Sequence, residues 1–116
     1  MFTLYVGYQG TVDVGSSIQV TYGGLVYNRI TQQFASTLTL KNIGSNPVPG
    51  PIQVVLHGLP AGVTVANAAG TNNGDPYVAT DPTVIAPGAT VTVLVQFQRT
   101  GSQNISYTTR VLSGAF

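Results

Sequence analysis

The chain has 116 residues, 6% of them charged, with four basic and three acidic side chains and a net charge of +1. That length fits one domain, and cations this few and this scattered exclude the clustered phosphate contacts of a nucleic-acid binder. Hydrophobic residues make up 43% and cysteine is absent, which excludes a disordered chain, disulfides, thiolate catalysis and Cys-based zinc sites.

Along the chain, Phe2, Leu4, Val6 and Tyr8 alternate with Thr3, Tyr5, Gly7 and Gln9, the pattern of a strand. A Gly-rich connection follows, "GTVDVGSS". The segment reads either as an extra edge strand on its own domain or as a strand donated to a neighbouring molecule. Ile18, Val20 and Tyr22 begin the next strand, which Gly23-Gly24 interrupts and Leu25-Val26-Tyr27 resumes; a bulge within one long strand is expected there. Phe34, Ser36, Leu38 and Leu40 then alternate with Ala35, Thr37, Thr39 and Lys41.

"GSNPVPG" turns the chain, "PIQVVLH" runs as a strand, "GLPAG" turns it again, and "VTVAN" follows. Val91, Val93, Val95 and Phe97 form an apolar row, as do Ile105, Tyr107, Thr109 and Val111. "TNNGDP", "TDP", "APGA" and "RTGSQN" are further breakers between strands, and such frequent turns set the rhythm of an antiparallel sandwich. No helical periodicity competes with this pattern. The expectation is one all-β domain over 1–116, an antiparallel β-sandwich of about seven or eight strands. Within it, 1–16 form the extra N-terminal strand and connection, and 17–116 the sandwich.

From Ile18 onward the landmarks stand in an order that is familiar. "QFASTLTLKNIGS" precedes "VPGPIQVVLHGLPAGVTVANAAGT", then come "GDPYV", "IAPGATVTVLVQF" and "NISYTTRVLSG". Over residues 18–114 this resembles an immunoglobulin-like β-sandwich module that recurs near the ends of large secreted or surface-anchored bacterial proteins. Lys41-Asn42-Ile43-Gly44 departs from that module's usual Asn-Thr-Gly ending. The resemblance implies an immunoglobulin/fibronectin-like fold and a secreted or cell-surface location. It also implies neighbouring domains of the same polypeptide as partners. Such modules serve as spacers, adhesion units and companions to hydrolases, so fold alone does not select a task.

Chemistry has few carriers. Acid–base work needs titratable groups held together, and the inventory is Asp13, Asp75, Asp81 and His57. Asp75 and Asp81 each precede a proline, where Asp initiates turns. His57 closes its strand on the face opposite Ile52, Val54 and Leu56, a surface position. No catalytic residue and no cofactor is expected. Asn73 and Asp75 in "TNNGDP" faintly resemble an oxygen-ligand cation loop but lack its several carboxylates, so no metal site is assigned.

Tyrosines are the richer resource, because a rigid apolar face with a polar tip suits stacking on sugars. Tyr22 and Tyr107 fall in phase with core residues, which leaves Tyr5, Tyr8, Tyr27 and Tyr77 as the candidate ligand-binding set. Tyr77 also suits packing a loop onto the sandwich. No apolar run approaches the roughly 18 residues of a membrane span, so no membrane insertion is expected. The opening residues lack a basic n-region, which places any export signal upstream. The reading is a non-catalytic structural or adhesion module of a larger exported bacterial protein. Its alternatives are a carbohydrate-binding module accessory to a polysaccharide-degrading enzyme, and a surface subunit that pairs with another copy through its N-terminal strand.

Overall fold

The computed structural model describes residues 12–80, 83–102 and 104–114. They form an all-β antiparallel sandwich of two open five-stranded sheets. The strands are β1 (Val12–Asp13), β2 (Ile18–Tyr22), β3 (Val26–Asn28), β4 (Gln33–Asn42) and β5 (Ile52–His57), then β6 (Val63–Val65), β7 (Gly70–Asn72), β8 (Asp75–Ala79), β9 (Thr90–Arg99) and β10 (Thr108–Ser113). One sheet has the order β1-β10-β5-β8-β7. The other has the order β2-β4-β9-β6, with β3 also paired to β4. The expected N-terminal strand over Phe2–Tyr8 lies outside the described residues.

Alternation builds the core. Leu38 and Leu40 of β4 face Val93, Val95 and Phe97 of β9 on the inner side of one sheet, and all are buried. From the other sheet come Ile52, Val54 and Leu56 of β5, Val78 of β8 and Val111 of β10. The outer face of the β4–β9 pair carries Thr37, Thr39, Thr92 and Gln96, hydroxyls and amides where charges are scarce. Such a face stays solvated while its neighbours bury, which is why these strands read so clearly in sequence.

Ten strands exceed the seven or eight expected, for three local reasons. First, β2 and β3 are one long strand broken in two: Tyr22 pairs with Leu38 and Val26 with Ala35, so four steps on one strand match three on the other. That is a one-residue bulge at Gly23-Gly24, and it puts Tyr27 rather than Val26 opposite Phe34. Second, β7 and β8 form a hairpin closed by Asn73 and Gly74, whose positive φ values of 52° and 85° suit a two-residue turn. Third, β1 adds a two-residue strand to β10. The row Ile105–Val111 is shorter as a strand than its pattern suggested. β10 begins at Thr108, while Ile105 and Tyr107 still pack against the core from the preceding segment. Its last residues, Val111, Leu112 and Ser113, are buried on both faces, not on alternate ones.

At one end of the sandwich the connections are tied to Asn42, which is fully buried. Its Nδ2 donates to the carbonyls of Asn46 and Ile85, at 2.8 and 2.9 Å, and its Oδ1 accepts from the Gly44 amide at 2.9 Å. Val48 and Ile85 pair beside it as a β-bridge and plug the core. The other end carries the β3–β4 turn, the Gly58–Gly62 connection, the Asn73-Gly74 turn and the residues after Arg99. His57 and Arg99 lie there, and the candidate sites are built on them.

Candidate functional site

β4 and β9 run ten residues each, whereas β5 and β10 run six, so the sheet holding β4 is the longer layer. At the His57 end its inner face is incompletely covered. Phe97 is fully buried, while Phe34, its direct cross-strand partner, and Arg99, two residues on, are half-buried. Tyr27 completes the row from β3: its ring meets that of Phe34 at 4.7 Å between centroids, tilted by 45°. The Arg99 guanidinium lies 4.6 Å from the Phe34 centroid, a cation–π distance. Gln32 and Gly101 close the rim of a cleft of ≈ 510 Å³ lined by Tyr27, Gln32, Phe34, Arg99 and Gly101.

The local sequence fixes this shelf. Asn28 Oδ1 accepts the amides of Ile30 and Thr31 at 2.9 and 3.2 Å, and its carbonyl accepts Gln32 N–H at 2.7 Å. Gln32 takes φ of 58°, an unusual conformation for a non-glycine residue that closes the four-residue turn. The turn pairs Asn28 with Gln33 and thereby Tyr27 with Phe34. The result is an aromatic face with an amide and a guanidinium beside it, able to stack on an apolar ring face while hydrogen-bonding its polar edge.

A second arrangement lies across the same end. The β5–β8 ladder stops at Val55–Tyr77, one residue short of Pro76, which has no amide hydrogen to continue it. Beyond that point a side-chain contact takes over. His57 Nδ1 lies 2.8 Å from Asp75 Oδ2, with the imidazole largely exposed and the carboxylate mostly covered. Leu56, Leu59, Val63, Val65 and Ala68 floor the cleft of ≈ 560 Å³ beside the pair.

The expected site residues do not converge on one place. Tyr27 stands on the shelf, about half exposed. Tyr77 packs instead: its ring lies over Gly70, where an added Cβ would come within 2.9 Å of Tyr77 Oη. Tyr5, Tyr8 and Asp81 lie outside the described residues. Asp75 opens β8 directly after the turn, and its carboxylate is engaged by His57; Asn73 occupies the turn itself. Among the described residues no group of three or more His, Cys, Asp or Glu side chains could hold a metal ion. Asp13 caps its own turn, accepting the Gly15 amide at 2.9 Å.

Sequence reasoning did not single out Phe34, Arg99 or Gln32 as surface chemistry. The pairing of Tyr27 with Phe34 was readable from a four-residue turn between Asn28 and Gln33; the arrival of Arg99 from another strand was not. The His57–Asp75 pair likewise joins residues from two strands whose register only the fold supplies. No protein-family model, no curated protein and no solved structure matches the chain.

Proposed function

We propose that the protein is a non-catalytic adhesion module of a larger exported bacterial polypeptide, and that it grips saccharide chains on the Tyr27–Phe34–Arg99 shelf. The observation that carries this reading is the shelf itself: two aromatic rings in contact, a guanidinium over one of them, and the Gln32 amide at the rim. Sugars offer apolar C–H faces and hydroxyl edges, and this combination answers both. The Thr- and Gln-bearing outer face of β4 and β9, on which Lys41 is the charged residue, suits a module exposed outside the cell.

An immunoglobulin-like plan is part of the proposal. The order β2-β4-β9-β6 follows the A-B-E-D sheet of such domains, and the β5–β10 pair follows strands C and F. The β7–β8 hairpin is then an insertion, and the two residues of β1 stand where strand G would run. The test is retention on insoluble polysaccharides, with cellulose, chitin and xylan as the panel. One of them should retain the chain, and Tyr27→Ala and Arg99→Ala should each weaken retention about tenfold or more. Tyr77→Phe, remote from the shelf, should leave it unchanged. Retention that survives Tyr27→Ala would sink the reading.

A further inference from the structure

Among the described residues, one edge of the sandwich is only partly paired. β10 is paired along its whole length with β5, from Thr108–His57 to Ser113–Ile52. On its other side, among the described residues, its backbone meets only Val12 and Asp13 of β1 and the Val14 amide, which donates to the Val111 carbonyl at 2.9 Å, while the Thr109 hydroxyl reaches Tyr22 Oη at 2.7 Å. By the alternation of an antiparallel ladder, Thr109 directs its backbone N–H and C=O to the same side as Val111, two residues further on. That stretch of edge, Thr108–Arg110, lies past the end of β1.

A cleft adjoins this edge on the side of Thr108. Tyr22, Gly23, Leu25, Ser36, Ile105, Ser106 and Tyr107 line its ≈ 260 Å³, between the segment that leads into β10 and the facing edge of the other sheet. Tyr22 and Tyr107 contact there at 5.7 Å. Leu25 is 45% exposed, and Ile18–Asn28, the facing edge, contains no charged residue and no proline, the usual guards of an open edge.

We propose that this slot accepts the Phe2–Tyr8 segment of a second copy of the chain as an added strand, joining copies by β-augmentation. The segment has the required chemistry. Phe2, Leu4, Val6 and Tyr8 fall on one face of an extended strand, and residues 1–11 contain no Lys, Arg, Asp, Glu or Pro. One apolar side chain in two would point to the cleft, and alternate residues would direct backbone N–H and C=O groups to the β10 edge. Direction favours a partner copy over the same chain. β1 runs antiparallel to β10 with Val12 opposite Ser113, so Val12 stands at the far end of β10 from Thr108–Arg110. A fully extended 11-residue segment reaches about 36 Å, enough to cross to a neighbour. Donor and acceptor are different surfaces, so the contact either exchanges reciprocally in a dimer or propagates along a chain of copies.

The test uses the full chain. Sedimentation velocity over a concentration series should show dimers or longer species whose share rises with concentration. Leu4→Lys/Val6→Lys, which spoils the donor, and Leu25→Lys, which spoils the slot, should each sediment as monomer. Because the native chain has no cysteine, a Val6→Cys chain mixed with a Ser106→Cys chain under mild oxidation should yield a cross-copy disulfide between the two introduced thiols, read by peptide mass. Three results would overturn the proposal: a monomeric native chain at every concentration, association that persists in both lysine variants, or mixed cysteine chains that yield no disulfide between Val6→Cys and Ser106→Cys. Polysaccharide retention of the lysine variants reports separately that their fold is intact.

Discussion

Tyr22 Oη and Thr109 Oγ1 lie 2.7 Å apart, and through that bond β2 of one sheet is joined by side chains to β10 of the other. The contact spans 87 positions of sequence. Tyr22→Phe keeps the ring against Tyr107 and removes only the hydroxyl. The expected cost is about 1 kcal/mol, the net worth of an ordinary hydrogen bond. Thr109→Val should cost a similar amount, and the double variant should cost less than the sum of the two. Urea unfolding of the four chains gives the coupling; strict additivity would show that the two hydroxyls do not depend on each other.

Asn42 is held more tightly. Its amide meets two carbonyls and one amide at the end where the β4–β5 and β8–β9 connections converge. Asn42→Ala strands those groups in a buried place and should cost about 3 kcal/mol. Asn42→Asp keeps the volume and the acceptor for Gly44 but replaces the donor with a charge facing two carbonyl oxygens. It should destabilise at neutral pH at least as much as alanine does. An aspartate variant as stable as the native chain would show that the site is held by packing and not by its hydrogen bonds.

How far the sequence could be read depends on what each segment buries. β4 and β9 each bury one face and wet the other, so Leu38, Leu40, Val93, Val95 and Phe97 announce themselves by period two. β7 and β8 did not, because Gly70-Thr71-Asn72 lacks a repeating apolar side chain and Pro76 argues against a strand. In the fold Pro76 sits opposite Thr71 just past the end of the β5 ladder, where its missing N–H costs nothing. Tyr27 was reached by elimination, with Tyr22 and Tyr107 set in phase with the core, yet Tyr22 at the sheet edge is as exposed as Tyr27. Arg99 over Phe34, and His57 beside Asp75, depend on strand order, which no single segment encodes.

Tyr107 links the core to pH. Burial raises its phenol above the ordinary value, the neighbouring Tyr22 raises it further, and a hydrogen bond with Ser36 works in the opposite direction. The folded state therefore favours the neutral phenol more than the unfolded chain does. Its contribution is fully present below the unfolded value of about 10 and is lost as pH rises from there through the higher folded value. Thermal midpoints followed into that alkaline range should fall for the native chain and fall less for Tyr107→Phe. Direct titration by phenolate absorbance should show one tyrosine ionising later than the rest, and that late step should vanish in the same variant. An identical alkaline decline in both chains would assign the effect to other groups.

The two glycines of the bulge differ although they are neighbours. A Cβ on Gly23 would stand 2.6 Å from the Thr37 carbonyl oxygen, closer than real side chains approach, and that oxygen also accepts the Gly23 amide at 3.0 Å. The Gly23 carbonyl in turn accepts the Ser36 hydroxyl at 2.9 Å, so the backbone has little freedom to retreat. Gly23→Ala should therefore cost about 2 kcal/mol, as overpacking against fixed neighbours does. A Cβ on Gly24 meets nothing within 4 Å. Gly24→Ala should be neutral or stabilising by up to about 1 kcal/mol, because it narrows the freedom of the unfolded chain and crowds nothing in the folded one. Urea midpoints of the two variants decide the matter. If Gly24→Ala proves the costlier of the pair, the bulge is centred one residue later than the β2–β4 register implies, and the pairing that brings Tyr27 to Phe34 rests on a different backbone.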